Sequence, residues 1–290
     1  MSPLRSVGGK AVDPAPGGTR IACIIGWPVA HSLSPAIQNA AFQAAEIDWA
    51  YVALPVAPDD VADAINGIRA LGIVGANVTM PHKRAVMEHL DEVGGEAERI
   101  GAVNTIVRSA DRLIGANTDG AGFVRFLERA AGMPDGPALI LGAGGAARAV
   151  GVALADSGIA VTIAARDPQR GEEAREAVGG TLVDFQDAAK VAKDAVLIVN
   201  ATPLGHEGDG VPLDVDAIEP RHTIIDLVYA PPETRFLMAA RERGARTHNG
   251  LGMLIEQAAL SFELWTGRPA PREAMSAAAL RAIATKIATE

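Results

Sequence analysis

Eight short apolar runs, separated by stretches of helical length, leave this chain little choice of architecture. The runs are IACIIG, WAYVALPV, GANVTM, GAVNTIVR, ALILGAG, AVTIAAR, AVLIVNAT and TIIDLVY. Between them lie PAIQNAAFQAA, DDVADAINGIRALG, GAGFVRFLERAAG and GGAARAVGVALADSG, each about the length of one helix. This alternation is the pattern of a mostly parallel α/β sheet. At 290 residues the chain is long for one core, and two domains are expected.

A boundary is expected near Asp119 and Gly120, after which GMPDGP leads into a fresh strand and a glycine-rich turn. The expected fold is two α/β domains flanking a cleft, because ligands of such sheets lie at the carboxyl ends of strands. Residues 20–118 with 250–290 form the first domain and 119–249 the second, of Rossmann type. The tail from Gly250 is helical in pattern, broken at TGRPAP, and is expected to pack back on the first half. Residues 1–19, rich in Gly and Pro, read as a disordered leader without the apolar core of a signal peptide.

Composition excludes several classes of function. The net charge of -9 gives no support for binding a polyanion, so nucleic acid and anionic membrane are not expected partners. No stretch has the roughly 20 consecutive apolar residues that span a bilayer. Cys23 is the single cysteine, which rules out a disulfide within the chain and a thiolate zinc cluster and fits a reducing, cytoplasmic setting. His206, His222 and His248 are scattered, and no metal site is expected from them; His31 and His82 receive no role.

ALILGAGGAARAV places Gly142, Gly144 and Ala147 in the spacing G-x-G-x-x-A, after a strand and at the start of a helix. There the pattern has a physical meaning: a tight turn at Gly142, open backbone at Gly144 for a pyrophosphate, and a small Ala147 for helix contact. Ala143, Gly145 and Ala146 complete the turn, and the phosphates are expected on the helix N-terminus. The nucleotide is read at the end of the next strand, where an acid takes the ribose hydroxyls of NAD and an arginine accommodates the 2′-phosphate of NADP. Arg166, Asp167 and Arg170 supply both signals, and the two arginines favour NADP, with NAD the alternative.

Polar clusters interrupt the apolar pattern at strand ends: Ser32 and Ser34 in AHSLSP, Asn77 with Thr79 and Lys83, Asn104 in GAVNT, and Asn117 to Asp119 in NTDG. If the strands are parallel, these ends converge. Their hydroxyls and amides suit a small polyhydroxylated carboxylate. In GMLIEQAALSFELW, Gln257 reads as the one polar insertion in an apolar helix face.

GWPVAHSLSP, GANVTMPHK, GAVNT, NTDG, GAGGAAR, NAT, DLVY and NGLGMLIEQA, in this order and spacing, resemble the shikimate dehydrogenase family, which includes shikimate and quinate dehydrogenases. The resemblance covers nearly all of the chain after the leader. It implies that Ser32, Ser34 and Tyr229 hold the substrate carboxylate, and that Asn77, Thr79, Lys83, Asn104, Asp119 and Gln257 surround the ring hydroxyls. It implies that Lys83 and Asp119 are the catalytic pair, and that Leu227 and Gly250 join the glycine turn in binding NADP. The chemistry agrees, since oxidising a secondary alcohol removes a proton from oxygen while hydride leaves carbon, and a lysine beside a carboxylate serves both directions. Asp119 is also a candidate cap for the helix that follows it.

The implied reaction is the NADP-dependent interconversion of 3-dehydroshikimate and shikimate, in aromatic amino acid biosynthesis. The implied assembly is a monomer or homodimer. The departures lie in the cofactor loop, where the family's Asn-Arg-Thr is replaced by Ala165, Arg166 and Asp167, and in Ala116 and Gln38. A quinate or aminoshikimate dehydrogenase using NAD is the rival reading, and a noncatalytic relative the third. Retention of Lys83 and Asp119 argues against the last.

Overall fold

The computed structural model describes residues 18–206, 208 and 210–289. The leader expected over 1–19 therefore lies, except for Gly18 and Thr19, outside the described residues. The chain divides into two compact units, one running up to Thr118 and resuming at Ala258, the other spanning Asp119–Gln257.

The first unit is built on β1 (Arg20–Gly26), β2 (Trp49–Pro55), β3 (Gly75–Val78), β4 (Glu92–Val93), β5 (Thr105–Ser109) and β6 (Arg112–Ala116), in the order β2-β1-β3-β5-β6-β4. Helices α1 (Ser34–Ala44), α2 (Val61–Ala70) and α3 (Gly95–Ile100) connect them. β1 pairs in parallel with β2 and β3, each reached through a helix-sized crossover. β5 departs from the expected parallel arrangement: it runs antiparallel to both β3 and β6. Only Ala110 and Asp111 separate β5 from β6, and two residues can close a hairpin but not a crossover. Ala110 takes the left-handed φ of 54° that such a tight turn requires. Cys23, Ile25, Ile65, Val78 and Ile106 belong to the core beneath this sheet. Burial pushes the Cys23 thiol up to about 12, which leaves it an unreactive core residue.

The second unit contains α4 (Asp119–Ala130), β7 (Ala138–Leu141), α5 (Gly145–Asp156), β8 (Val161–Ala165), α6 (Pro168–Val178), β9 (Thr181–Asp184), α7 (Ala188–Ala192), β10 (Leu197–Asn200), β11 (Thr223–Asp226), α8 (Arg235–Glu242) and β12 (Arg246–Asn249). Its sheet is parallel throughout, in the order β12-β11-β10-β7-β8-β9. This is the doubly wound order of dinucleotide-binding folds, with the direction of winding reversing between β7 and β10.

α9 (Leu251–Thr266) contributes to both units, so the division at Gln257 and Ala258 falls inside one continuous helix and not at Gly250. In its first half a Cβ on Gly252 would lie 2.2 Å from the Phe126 ring, and Glu256 pairs with Arg129 at 3.1 Å. In its second half Ala258 O accepts from Gln38 Nε2 at 2.9 Å, and Trp265 Nε1 donates to Ile106 O at 3.0 Å. The Trp265 indole lies where a Cβ on Gly75 would be, which accounts for the glycine that opens GANVTM. α10 (Arg272–Thr289) follows the break at TGRPAP and packs on α1. No helix among the described residues is long and apolar enough to cross a membrane.

Candidate active site

In the first unit the antiparallel β5 brings its beginning, not its end, beside the carboxyl end of β3, because Asn77 is opposite Thr105. Asn104 therefore reaches the same sheet edge as Asn77 by the reverse of the expected route. β6 runs antiparallel to β5, so its carboxyl end, which leads into NTDG, arrives at that edge as well.

A buried hydrogen-bond network fastens these ends together. Asn77 Oδ1 accepts from the Tyr51 hydroxyl at 2.7 Å, while its Nδ2 faces Asn104 O at 3.1 Å, Thr105 Oγ1 at 3.1 Å and Ser261 Oγ at 2.9 Å. Asn104 Oδ1 in turn accepts from Thr118 N at 2.8 Å and Thr105 Oγ1 at 2.9 Å. Both ends of the Asn77 amide are engaged with protein groups. Burial raises the Tyr51 phenol well above its ordinary range, so it remains a neutral donor.

Lys83 lies in the turn after β3. Its carbonyl accepts from Val103 N at 2.8 Å, which ties the turn to GAVNT. His82 is buried with its Nε2 2.7 Å from Val56 O, and its backbone N–H donates to Thr79 O at 3.0 Å. The turn is thus held on three sides, while the Lys83 side chain itself is only half-buried. Ser34 opens α1 and is buried, and its N–H donates to Ser32 Oγ at 3.2 Å.

In the second unit Asp119 is the first residue of α4 and is buried, at the end where the helix dipole favours a negative charge. Gln257 is also buried, with Nε2 donating to Leu254 O at 2.8 Å. Tyr229 lies in the segment after β11 and is half-buried, which pushes its phenol upward.

The glycine turn fits a dinucleotide. Gly142 has φ +113°, and a Cβ there would lie 3.0 Å from Ala201 O, on the strand end across the switch point. A Cβ on Gly144 would meet nothing within 4 Å, so its backbone is open to a close approach. α5 begins at Gly145 with free N-terminal amides, and Ala147 is fully buried against the sheet. Leu227 and Gly250 are in backbone contact, with Gly250 N donating to Val228 O at 3.1 Å.

Arg166, Asp167 and Arg170 are all exposed at the end of β8. Asp167 is the N-cap of α6: its Oδ1 accepts from Gln169 N at 3.0 Å and Arg170 N at 3.1 Å. Asp followed by Pro168 at the first helical position is a start signal that sequence reading could have used. The Arg166 guanidinium lies 6.0 Å from the Phe185 ring centroid, within cation–π range.

Sequence reasoning did not single out Tyr51, Thr105 or Ser261. Gln257 is not the lone polar insertion in α9, since Glu256 and Ser261 are buried polar residues too. Among the described residues no three of His, Cys, Asp and Glu gather into a group fit for a metal ion.

Residues 24–106 match the shikimate dehydrogenase substrate binding domain, and residues 250–280 match the shikimate 5'-dehydrogenase C-terminal domain. The chain is 47% identical over 281 residues to the shikimate dehydrogenase (NADP(+)) of Symbiobacterium thermophilum, covering 92% of this chain and 96% of that protein. The chain belongs to the shikimate dehydrogenase family. Among solved structures, the shikimate 5-dehydrogenase of Thermus thermophilus, in complex with NADP(H) and shikimate, is similar with a TM-score of 0.85 and 41% identity, over 91% of this chain and 99% of that one. A second solved structure is also similar: quinate dehydrogenase from Corynebacterium glutamicum in complex with NAD has a TM-score of 0.82 and 32% identity, over 91% of this chain and 99% of that one.

Proposed function

We propose that the chain interconverts 3-dehydroshikimate and shikimate with NADP, the step of the shikimate pathway that its family name describes. The observation that carries this reading is the 47% identity to an NADP(+) shikimate dehydrogenase, which extends through both units. NADP, when bound, accepts or supplies the hydride. The glycine turn at Gly142 to Ala146, with Leu227 and Gly250, holds the dinucleotide, and Arg166 and Arg170 receive its 2′-phosphate.

Lys83 holds the reacting hydroxyl and passes its proton, and Asp119 orients the neighbouring hydroxyl. Thr79, Asn104 and Gln257 bind the remaining ring hydroxyls, while Ser32, Ser34 and Tyr229 take the carboxylate. Asn77 serves the site by holding the strand ends, through the amide contacts described above. Ser32→Ala and Ser34→Ala are expected to raise KM for shikimate with a modest loss of kcat, because bonds to a ground-state carboxylate persist in the transition state. A pure kcat defect with unchanged KM removes the serines from the carboxylate site.

The second reading, a quinate or aminoshikimate dehydrogenase using NAD, draws on Asp167. Its capping bonds support a different role, since Oδ1 is engaged by two α6 amides. Initial rates with shikimate and quinate, each with NADP and NAD, separate the readings. Shikimate with NADP is expected to give the highest kcat/KM, and a preference for quinate with NAD overturns the proposal. Asp167→Thr is expected to widen the preference for NADP, because threonine still caps the helix and no longer opposes the 2′-phosphate. If the change chiefly damages NAD use, Asp167 is a ribose ligand.

A further inference from the structure

Asp226 is fully buried at the carboxyl end of β11, yet it is surrounded by donors from the end of β10 and from the segment after β11. Its Oδ1 accepts from Asn200 Nδ2 at 2.9 Å and from Val228 N at 3.1 Å, and its Oδ2 accepts from Thr234 Oγ1 at 2.7 Å. Asn200 and Thr234 are themselves buried. Asn200 extends the cluster into the loop after β10, where its Oδ1 accepts from Thr202 N at 3.0 Å and its Nδ2 faces Leu204 O at 3.1 Å. Thr234 caps α8 through Leu237 N at 3.3 Å.

We infer that Asp226 is a positioning residue that sets the loop from Leu227 to Thr234, and with it the dinucleotide affinity of the chain, without touching either ligand. Three observations converge on this. The carboxylate grips the loop at both ends, through Val228 N and Thr234 Oγ1. Leu227 lies between the strand and the first grip and Tyr229 between the two grips, and they are the residues proposed above for cofactor and carboxylate. Through Asn200 the same carboxylate fixes the β10 loop, whose Ala201 O walls the turn at Gly142. Hydrogen bonds to a buried ionised group are stronger than neutral ones, and a donor left without its acceptor there is costly. A buried carboxylate at this point thus converts two flexible strand-end loops into one fixed surface.

The inference rests on the NADP reading, and the test keeps the two apart. NADP dissociation constants are measured without turnover, by calorimetric titration of the full chain, for the parent, Asp226→Asn, Thr234→Val and Thr234→Ser. Ile218→Ala, a core substitution in the segment before β11, is the control for lost stability alone. Asn at 226 removes the charge and leaves one oxygen acceptor, so the Thr234 hydroxyl has to reverse from donor to acceptor, and Val at 234 removes one grip only. If either change leaves the competent loop in a fifth of the molecules, the apparent Kd rises about fivefold. KM for shikimate is expected to rise with it, while Thr234→Ser restores parent values and Ile218→Ala lowers Tm without changing Kd. Parent-like Kd and KM in folded Asp226→Asn overturn the inference. Should that variant not fold, parent-like values in Thr234→Val overturn it instead. A parent chain that binds no NADP overturns the cofactor reading and this inference with it; equal Kd in parent and variants overturns only the latter.

Discussion

Replacing Lys83 with alanine is expected to lower kcat by at least about a hundredfold, the low end of what a positioned acid or base contributes, with a smaller effect on KM. The structure explains why the fold should survive the change. The turn is held by backbone groups of Lys83, Val103 and Thr79 and by the His82 ring, none of which depends on the lysine side chain. That side chain is half-buried, so its loss leaves no large cavity. The Lys83 backbone is fixed through its own carbonyl to the neighbouring GAVNT segment, at an edge where Asn104 and Thr118 are bonded together. Folded Lys83→Ala that turns over shikimate at near the parent rate would show that the proton is carried elsewhere.

Gly250→Ala is expected to damage stability and dinucleotide binding together. A Cβ at Gly250 would lie 2.1 Å from Leu227 O, 2.5 Å from Leu227 C and 3.0 Å from Leu227 Cα, all backbone atoms that no rotamer change can move aside. Neither partner can easily retreat: Leu227 N donates to Asn200 O at 2.9 Å, and Gly250 N to Val228 O at 3.1 Å. Forcing the two apart costs roughly 1–3 kcal/mol, the range of overpacked sites. The fall in Tm should be several degrees. Because the displaced residue is Leu227, NADP affinity is expected to fall by more than about tenfold, comparable to removing one hydrogen bond to a charged group. Thermal unfolding and NADP titration check both parts. A variant with the parent's Tm and Kd would mean that the packing of Gly250 on Leu227 has slack, and that neither residue limits cofactor binding.

The fold is legible where its signals lie in consecutive residues. Apolar runs of strand length announce both sheets, and ALILGAGGAARAV announces the strand, turn and helix N-terminus found at β7 and α5. Gly142 has the positive φ that the tight-turn reading requires. The cap at Asp167 is equally local, yet weighing the residue only as a ribose ligand passes over it. The β5–β6 hairpin also has a local cue in its two-residue link, obscured by the alternation around it.

The site is legible as a set of residue types but not as a network. Asn77 meets Ser261 across 184 positions and Tyr51 across 26, and Thr105 meets Ser261 across 156. No periodicity within α9 distinguishes Ser261 as a hub, since a buried serine in an apolar helix face reads as filler. The same holds for Asp226, whose partners Asn200 and Thr234 come from the end of β10 and the N-cap of α8. Turn chemistry and hydrophobic period depend on neighbours in the chain, so the sequence by itself determined the sheets, the helices and the glycine turn. Which buried polar groups meet depends on strand register and on the reversal of β5. Register is decided only when whole faces are buried, and so the pairing of Asn77 with Tyr51 and Ser261, and of Asp226 with its loop, was decided by the tertiary structure.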